Sequence, residues 1–259
     1  MFVDSHCHID FPELADRLPE ILGRMKANEV TEALCVSVTL PEFPQVLALA
    51  ETHSNIYASV GVHPDYEATE EPTVDQLVGL AQHPRVVAIG ETGLDYYRLQ
   101  GDLEWQRERF RVHIRASRAS GKPLIIHTRA ASEDTLRLMR EEGAGTDAGG
   151  VAGVMHCFTE SLEVAEAAMA MGFYISFSGI VTFKNAKELQ AVARAVPLER
   201  MLIETDSPYL APVPMRGKTN EPGFVRHVGE FLADLKDVPL NTLAEATSRN
   251  FRALFRTAG

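Results

Sequence analysis

Cysteine is scarce in this chain: Cys7, Cys35 and Cys157 are the only three in 259 residues. The number is odd, the spacing is wide and no CxxC pair occurs, which excludes a disulfide framework and a thiolate zinc finger. No apolar run is long enough to span a bilayer, and the first residues lack a basic stretch followed by an apolar one. No membrane partner is therefore expected, and a reducing cytoplasm is the expected location. Cations are outnumbered: 25 Lys and Arg against 36 Asp and Glu give a formal net charge of -11. That argues against broad attraction to nucleic acid or anionic membrane. It leaves a polyanionic substrate open, because bound divalent cations reverse the local sign of a site. Low-complexity tracts and short repeats are also missing, and nothing points to an obligate protein partner.

Hydrophobic residues make up 45% and charged residues 24%, so a sizeable core can be buried. Strand-like and helix-like stretches alternate from end to end. Strands are expected at 2–5, 33–38, 56–62, 86–90, 123–127, 152–155, 173–177 and 201–204. Helices are expected at 13–28, 44–53, 73–82, 103–120, 132–142, 162–171, 186–195, 223–235 and 243–255. Short β-branched runs separated by helices imply parallel strands with right-handed crossovers. Eight such units in a chain of this length predict an α/β fold, a single (β/α)8 TIM barrel over residues 1–259. The alternative, an open doubly wound sheet, usually carries a glycine fingerprint after its first strand. Here His6-Cys7-His8 follows that strand instead.

In such a barrel the chemistry sits at the C-terminal ends of strands. The first strand ends in His6 and His8, which alternation points the same way. The fourth ends in Glu91, the fifth in His127, the sixth in His156 and the eighth in Asp206. Any one of these has an ordinary reading as a polar residue in a turn. Four imidazoles and two carboxylates on one rim do not. Six ligands exceed what one zinc with an open position needs. They suit two divalent ions about 3.5–4 Å apart with a bridging carboxylate. Glu91 is the expected bridge, His6, His8 and Asp206 complete one site, and His127 and His156 the other. The mixed N/O set suits Zn, Mn or Co, and Mg least readily. Two such ions activate a water as nucleophile, and Asp206 is the expected catalytic base. Glu204 shares a face with Asp206 and is expected behind the ligands, or else paired with a basic residue in the barrel floor.

The stretches 4–10 (DSHCHID), 90–97 (GETGLDYY), 122–127 (KPLIIH), 156–158 (HCF) and 204–212 (ETDSPYLAP) resemble the TatD family of metal-dependent deoxyribonucleases, within the amidohydrolase-like superfamily. The resemblance covers nearly the whole chain. It implies a divalent-metal phosphodiesterase, a 3′-to-5′ exonuclease acting on DNA ends or single-stranded DNA, and the same six ligands. An amidohydrolase or esterase acting on a small metabolite or aminoacyl ester is the alternative, since the ligand set allows either. A scaffold protein with purely structural metals is a third reading, disfavoured because such sites are closed and four-coordinate.

Candidate substrate contacts are His63, at the end of the third strand, and the loop cations Arg129, Lys184, Arg216 and Lys218, which can hold phosphates without reading bases. Tyr96, Tyr97, Phe158, Phe183 and Tyr209 can stack on an unpaired base or pack the rim. His53, His83, His113 and His227 read as structural or surface residues. Cys7 and Cys157 read as buried packing, and Trp105 as packing in the outer layer.

Overall fold

Eight parallel strands pair in chain order, each with the next, as expected from the alternating pattern. The computed structural model describes residues 1–99 and 101–255; Gln100 and the last four residues of the expected 1–259 domain lie outside them. The strands are β1 (Phe2–Cys7), β2 (Val30–Cys35), β3 (Ile56–Val60), β4 (Val86–Asp95), β5 (Leu124–Arg129), β6 (Gly153–Met155), β7 (Tyr174–Phe177) and β8 (Met201–Ile203). The helices are α1 (Pro12–Ala15), α2 (Leu18–Ala27), α3 (Phe43–Thr52), α4 (Val74–Ala81), α5 (Glu104–Ser120), α6 (Ser132–Glu141), α7 (Leu162–Ala170), α8 (Lys187–Ala195), α9 (Val225–Lys236) and α10 (Leu240–Phe255). A single bridge, Cys7 to Ser207, brings the first strand to the last and nearly closes the (β/α)8 barrel.

Three differences from expectation have local causes. The helix expected at 13–28 is two helices, because Pro19 lacks an N–H and starts α2 rather than continuing α1. The second strand begins at Val30 and ends at Cys35, so Val36 to Val38 lie beyond the ladder. The fourth strand runs on to Asp95, which carries Glu91 inside the strand. Gly93 makes that extension possible. Its φ is +137°, and a Cβ there would lie 1.9 Å from the His127 carbonyl oxygen.

Ile125, Val154 and Leu202 precede His127, His156 and Glu204 by two residues, so alternation places them on the same inward face. They pack with Leu34, Tyr57 and Val87, and Phe251, Leu254 and Phe255 of α10 join this cluster. That apolar floor leaves the polar groups to the opposite rim. The seam between β1 and β8 is tied by Asp4. Its buried carboxylate accepts from the Thr205 N–H (2.8 Å), the Thr205 hydroxyl (2.5 Å) and the His6 N–H (3.3 Å). The backbone bonds from Asp206 N–H to His6 O and from His8 N–H to Ser207 O extend the same seam.

One face of α5 fixes the loop after β3 and the end of β4. Gln106 accepts from the Asp95 N–H and donates to the Pro64 carbonyl; Arg109 donates to the His63 carbonyl. His113 accepts from the Val62 N–H at 3.0 Å, so its proton is on Nδ1, which donates to Arg109 O. Burial pushes the His113 imidazole down to about 4, from its ordinary 6.5. Unfolded chains take up this proton first, so its effect on stability is felt as pH falls from about 6.5 towards about 4. The expected loss is on the order of 3 kcal/mol over that window. Urea unfolding across this range checks it: His113→Gln, which has no proton to gain, is expected to flatten the acid limb.

Candidate metal centre

Glu91 stands buried at the middle of the mouth, and its two carboxylate oxygens face different imidazoles. Oε2 lies 3.2 Å from His6 Nε2 and 3.9 Å from His8 Nε2. Oε1 lies 2.8 Å from His156 Nε2, 3.2 Å from His127 Nδ1 and 3.2 Å from His63 Nε2. Asp206 Oδ1 is 3.5 Å from His8 Nε2 and 3.7 Å from His6 Nε2. All six expected ligands therefore converge. His156 stands between the two halves of the set: it stacks on His6 with ring centroids 3.9 Å apart, and its donor atom also groups with those of His6 and Asp206.

Local backbone places these groups. A register shift between Asp4 and Cys7 breaks the alternation of β1, and His6 and His8 end with Nε2 atoms 3.2 Å apart. Cys157 and Asp206 leave their strands with left-handed φ of +42° and +56°, backbone positions of the kind that cluster at functional sites.

The partners behind the ligands set the tautomers. His8 Nδ1 lies 2.9 Å from the Val36 carbonyl, which only accepts, so Nδ1 holds the proton and Nε2 turns a lone pair inward. His127 Nε2 donates to Asp95 Oδ2 at 3.0 Å, leaving Nδ1 towards Glu91. His156 Nδ1 donates to Glu204 Oε1 at 3.2 Å, leaving Nε2 against Glu91 Oε1 with no hydrogen bond. Neutral rings so oriented turn lone pairs on carboxylate oxygens, an arrangement that calls for a cation between them. Without one, protons supply the charge. Against burial, Asp206 and Glu91 pull His8 up to about 9. His127 and His156 are raised too, against burial, by Asp95 and Glu91 and by Glu91 and Glu204 respectively. Glu91 is held well below the usual carboxylate range despite burial, by His156, His63 and His6. The donor set fits divalent cations.

His63 is built differently. Its Nδ1 accepts from the Asp65 N–H at 3.1 Å, so Nε2 carries the proton and His63 offers a donor where the others offer lone pairs. Glu204 lies behind His156 and also accepts from the Cys157 N–H at 2.8 Å; the basic floor residue offered as its alternative partner is not among its contacts. Asp95 went unassigned in the sequence, although alternation along an extended β4 puts it on the face of Glu91. Against burial, His127 and the Tyr97 and Arg98 N–H groups hold its carboxyl at about 2. Cys157 departs from the buried packing expected of it: it is part-exposed, lines the mouth cavity, and its Sγ lies 3.2 Å from Ser178 Oγ. Cys7 is fully buried and donates to the Leu34 carbonyl.

The mouth opens into a cavity of about 670 Å³. His63 and Arg129 line it, Arg129 lying 4.0 Å over the Tyr97 ring. Three expected substrate contacts, Lys184, Arg216 and Lys218, are not in this lining. Lys184 borders a separate hollow with Lys187 and Arg194, because the 3-10 turn Gly179–Thr182 leaves Ile180 at the cavity and carries the following chain past it. Arg216 lies 3.9 Å over the Phe183 ring.

A family model described as TatD related DNase matches residues 3–256. The chain belongs to the TatD family. YcfH of Escherichia coli K12, named an uncharacterized metal-dependent hydrolase, is 48% identical over 256 residues, which are 98% of this chain and 95% of the relative. YabD of Bacillus subtilis carries the same description and is 41% identical over 99% of both chains. The crystal structure of YjjV, a TatD homologue from Escherichia coli K12, matches with a TM-score of 0.90 at 29% identity, covering 99% of this chain and 98% of that one. This TatD-family chain is a metal-dependent hydrolase, and its barrel is the barrel of its relatives.

For a TatD-family site built on fixed tautomers, Glu204→Gln is the informative change behind the ligands. The amide can still accept from the Cys157 N–H but no longer carries a charge opposite His156. Metal affinity is expected to fall about 10- to 100-fold with little change in melting temperature. Isothermal titration with manganese or zinc checks this; unchanged affinity would remove Glu204 from the site.

Proposed function

We propose that this protein is a deoxyribonuclease that trims DNA from its 3′ end at a pair of divalent cations held by His6, His8, Glu91, His127, His156 and Asp206. The observation that carries the reading is the division of the Glu91 carboxylate, one oxygen towards His6 and His8 and the other towards His127 and His156. Divalent cations bound there supply Lewis-acid stabilisation of a phosphoryl oxygen and lower the pKa of an attacking water. The chain's own residues do the rest. Asp206 takes the proton from the water. His63 Nε2–H donates to a phosphate oxygen, and Arg129 at the cavity wall fixes the backbone of the strand. Asp95 and Glu204 hold His127 and His156 with their lone pairs inward.

The family description supports nucleic acid as the substrate. The donors and cation at the mouth support a phosphate ester within that class, in a chain whose total charge is strongly negative. No described helix is long and apolar enough to cross a membrane, in keeping with a proposed cytoplasmic location. Ligands drawn from residue 6 to residue 206 make one hydrolase domain of the chain.

Single-stranded oligonucleotides labelled at either end, incubated with a panel of Mg, Mn, Co and Zn, test the reading. Metal-dependent, stepwise shortening from the 3′ end is the expected result. Absence of shortening with every ion would overturn the nuclease reading while leaving a metal-dependent hydrolase.

A further inference from the structure

Of the aromatic residues at the barrel mouth, most are already engaged. Arg129 covers one face of Tyr97, Arg216 covers Phe183, and Phe158 is buried. The Tyr96 hydroxyl is tied to Asp134 at 2.7 Å and to Arg107. Two tyrosines remain that line the cavity and are also exposed: Tyr209 at 54% and Tyr66 at 38%. The sequence offered no reason to single out Tyr66.

Each of the two is braced by a ring next to the candidate metal residues. Phe11 meets Tyr209 edge-on, at 6.4 Å and 76°, and itself stacks on His8 at 4.8 Å and 19°. His63 meets Tyr66 edge-on at 6.2 Å and 87°. In such T-shaped pairs the edge of one ring meets the face of the other, so each bracing ring covers at most one face of its tyrosine. A group held by these rings shares one cavity with Glu91 and Asp206. It must therefore be attached close to the bond being cut. In a nucleic acid the flat apolar group attached next to a phosphodiester is the base.

We infer that Tyr66 and Tyr209 clamp the unpaired base of the terminal nucleotide and so seat the last phosphodiester over the metal centre. The inference rests on the nuclease reading. Stacking of this kind is indifferent to base identity, because every base offers a π face.

The test compares two single strands that differ only at the 3′ end, one carrying a normal terminal nucleotide and the other an abasic one. The wild-type protein is expected to cut the normal end about tenfold faster in kcat/KM. That ratio is expected to fall towards one in Tyr66→Ala and in Tyr209→Ala, and to survive in Tyr66→Phe and Tyr209→Phe, which keep the ring. The phenylalanine variants guard against a change of fold, and a circular dichroism spectrum of each alanine variant checks it directly. Equal wild-type rates on the two ends would overturn the clamp and leave the nuclease reading standing. A ratio unchanged in the alanine variants would do the same. Failure of the wild type to cut either strand would overturn both.

Discussion

Glu91→Gln is expected to lower hydrolysis by at least about 10³-fold and to leave the protein unable to hold two equivalents of metal. The magnitude follows from the several kcal/mol that metal ions contribute to charge stabilisation, with each 1.36 kcal/mol worth about tenfold. Only a carboxylate can present an acceptor oxygen to each half of the ligand set. Glutamine has the same shape but one such oxygen; its amide nitrogen turns hydrogens on whichever histidines it meets. Its loss would differ in kind from that of a peripheral ligand, because both halves of the set share it. The fold should survive, since the barrel floor and the Asp4 seam do not involve Glu91. Metal analysis of the purified variant, with a melting curve beside the activity, separates these effects. Activity within about tenfold of wild type, or an undiminished metal content, would end the bridging reading.

The fold could be read from periodicity because the local and tertiary signals agree. The strands are short, mostly apolar runs, six of the eight ending at or near an ionisable residue (His8, His63, Glu91, His127, His156 and Glu204), and the helices return the chain to the start of the next strand. What escaped was the detail that backbone geometry decides. Nothing in the run at 86–95 announces that the strand passes through Glu91, since that depends on Gly93 letting β5 approach. The register shift in β1 and the left-handed backbone at Cys157 and Asp206 are likewise features of backbone geometry that the residue pattern does not announce. The six converging residues were legible because a rim of ionisable side chains after apolar strands is improbable otherwise. The groups behind them are less so: Glu204 follows from its spacing to Asp206, whereas Asp95 lies beyond the strand expected at 86–90. Lys184 and Arg216 show the limit of placing cations by loop alone, since a loop fixes which end of the barrel a residue occupies but not the direction of its side chain.

Asp206→Asn is the second large effect, and it separates proton transfer from ligation. Asp206 is the more exposed of the two carboxylates among the candidate ligands: its side chain is 17% exposed, against 3% for Glu91. Against burial, His8 and His6 hold its carboxyl below the ordinary value, so it is ionised at neutral pH and free to accept a proton. Asparagine keeps an acceptor oxygen at the same place and tolerates the left-handed φ of +56° better than most residues. It cannot take the proton. Removing a general base costs about 10²–10⁴-fold, so kcat is expected to fall by about 10³-fold while metal content stays near that of the wild type. Asp206→Ala removes the oxygen as well and puts a Cβ residue with no local hydrogen bonding into the same backbone conformation. It is expected to lose metal and to melt at a lower temperature. An asparagine variant that kept more than about a tenth of wild-type turnover would show that the proton leaves by another route.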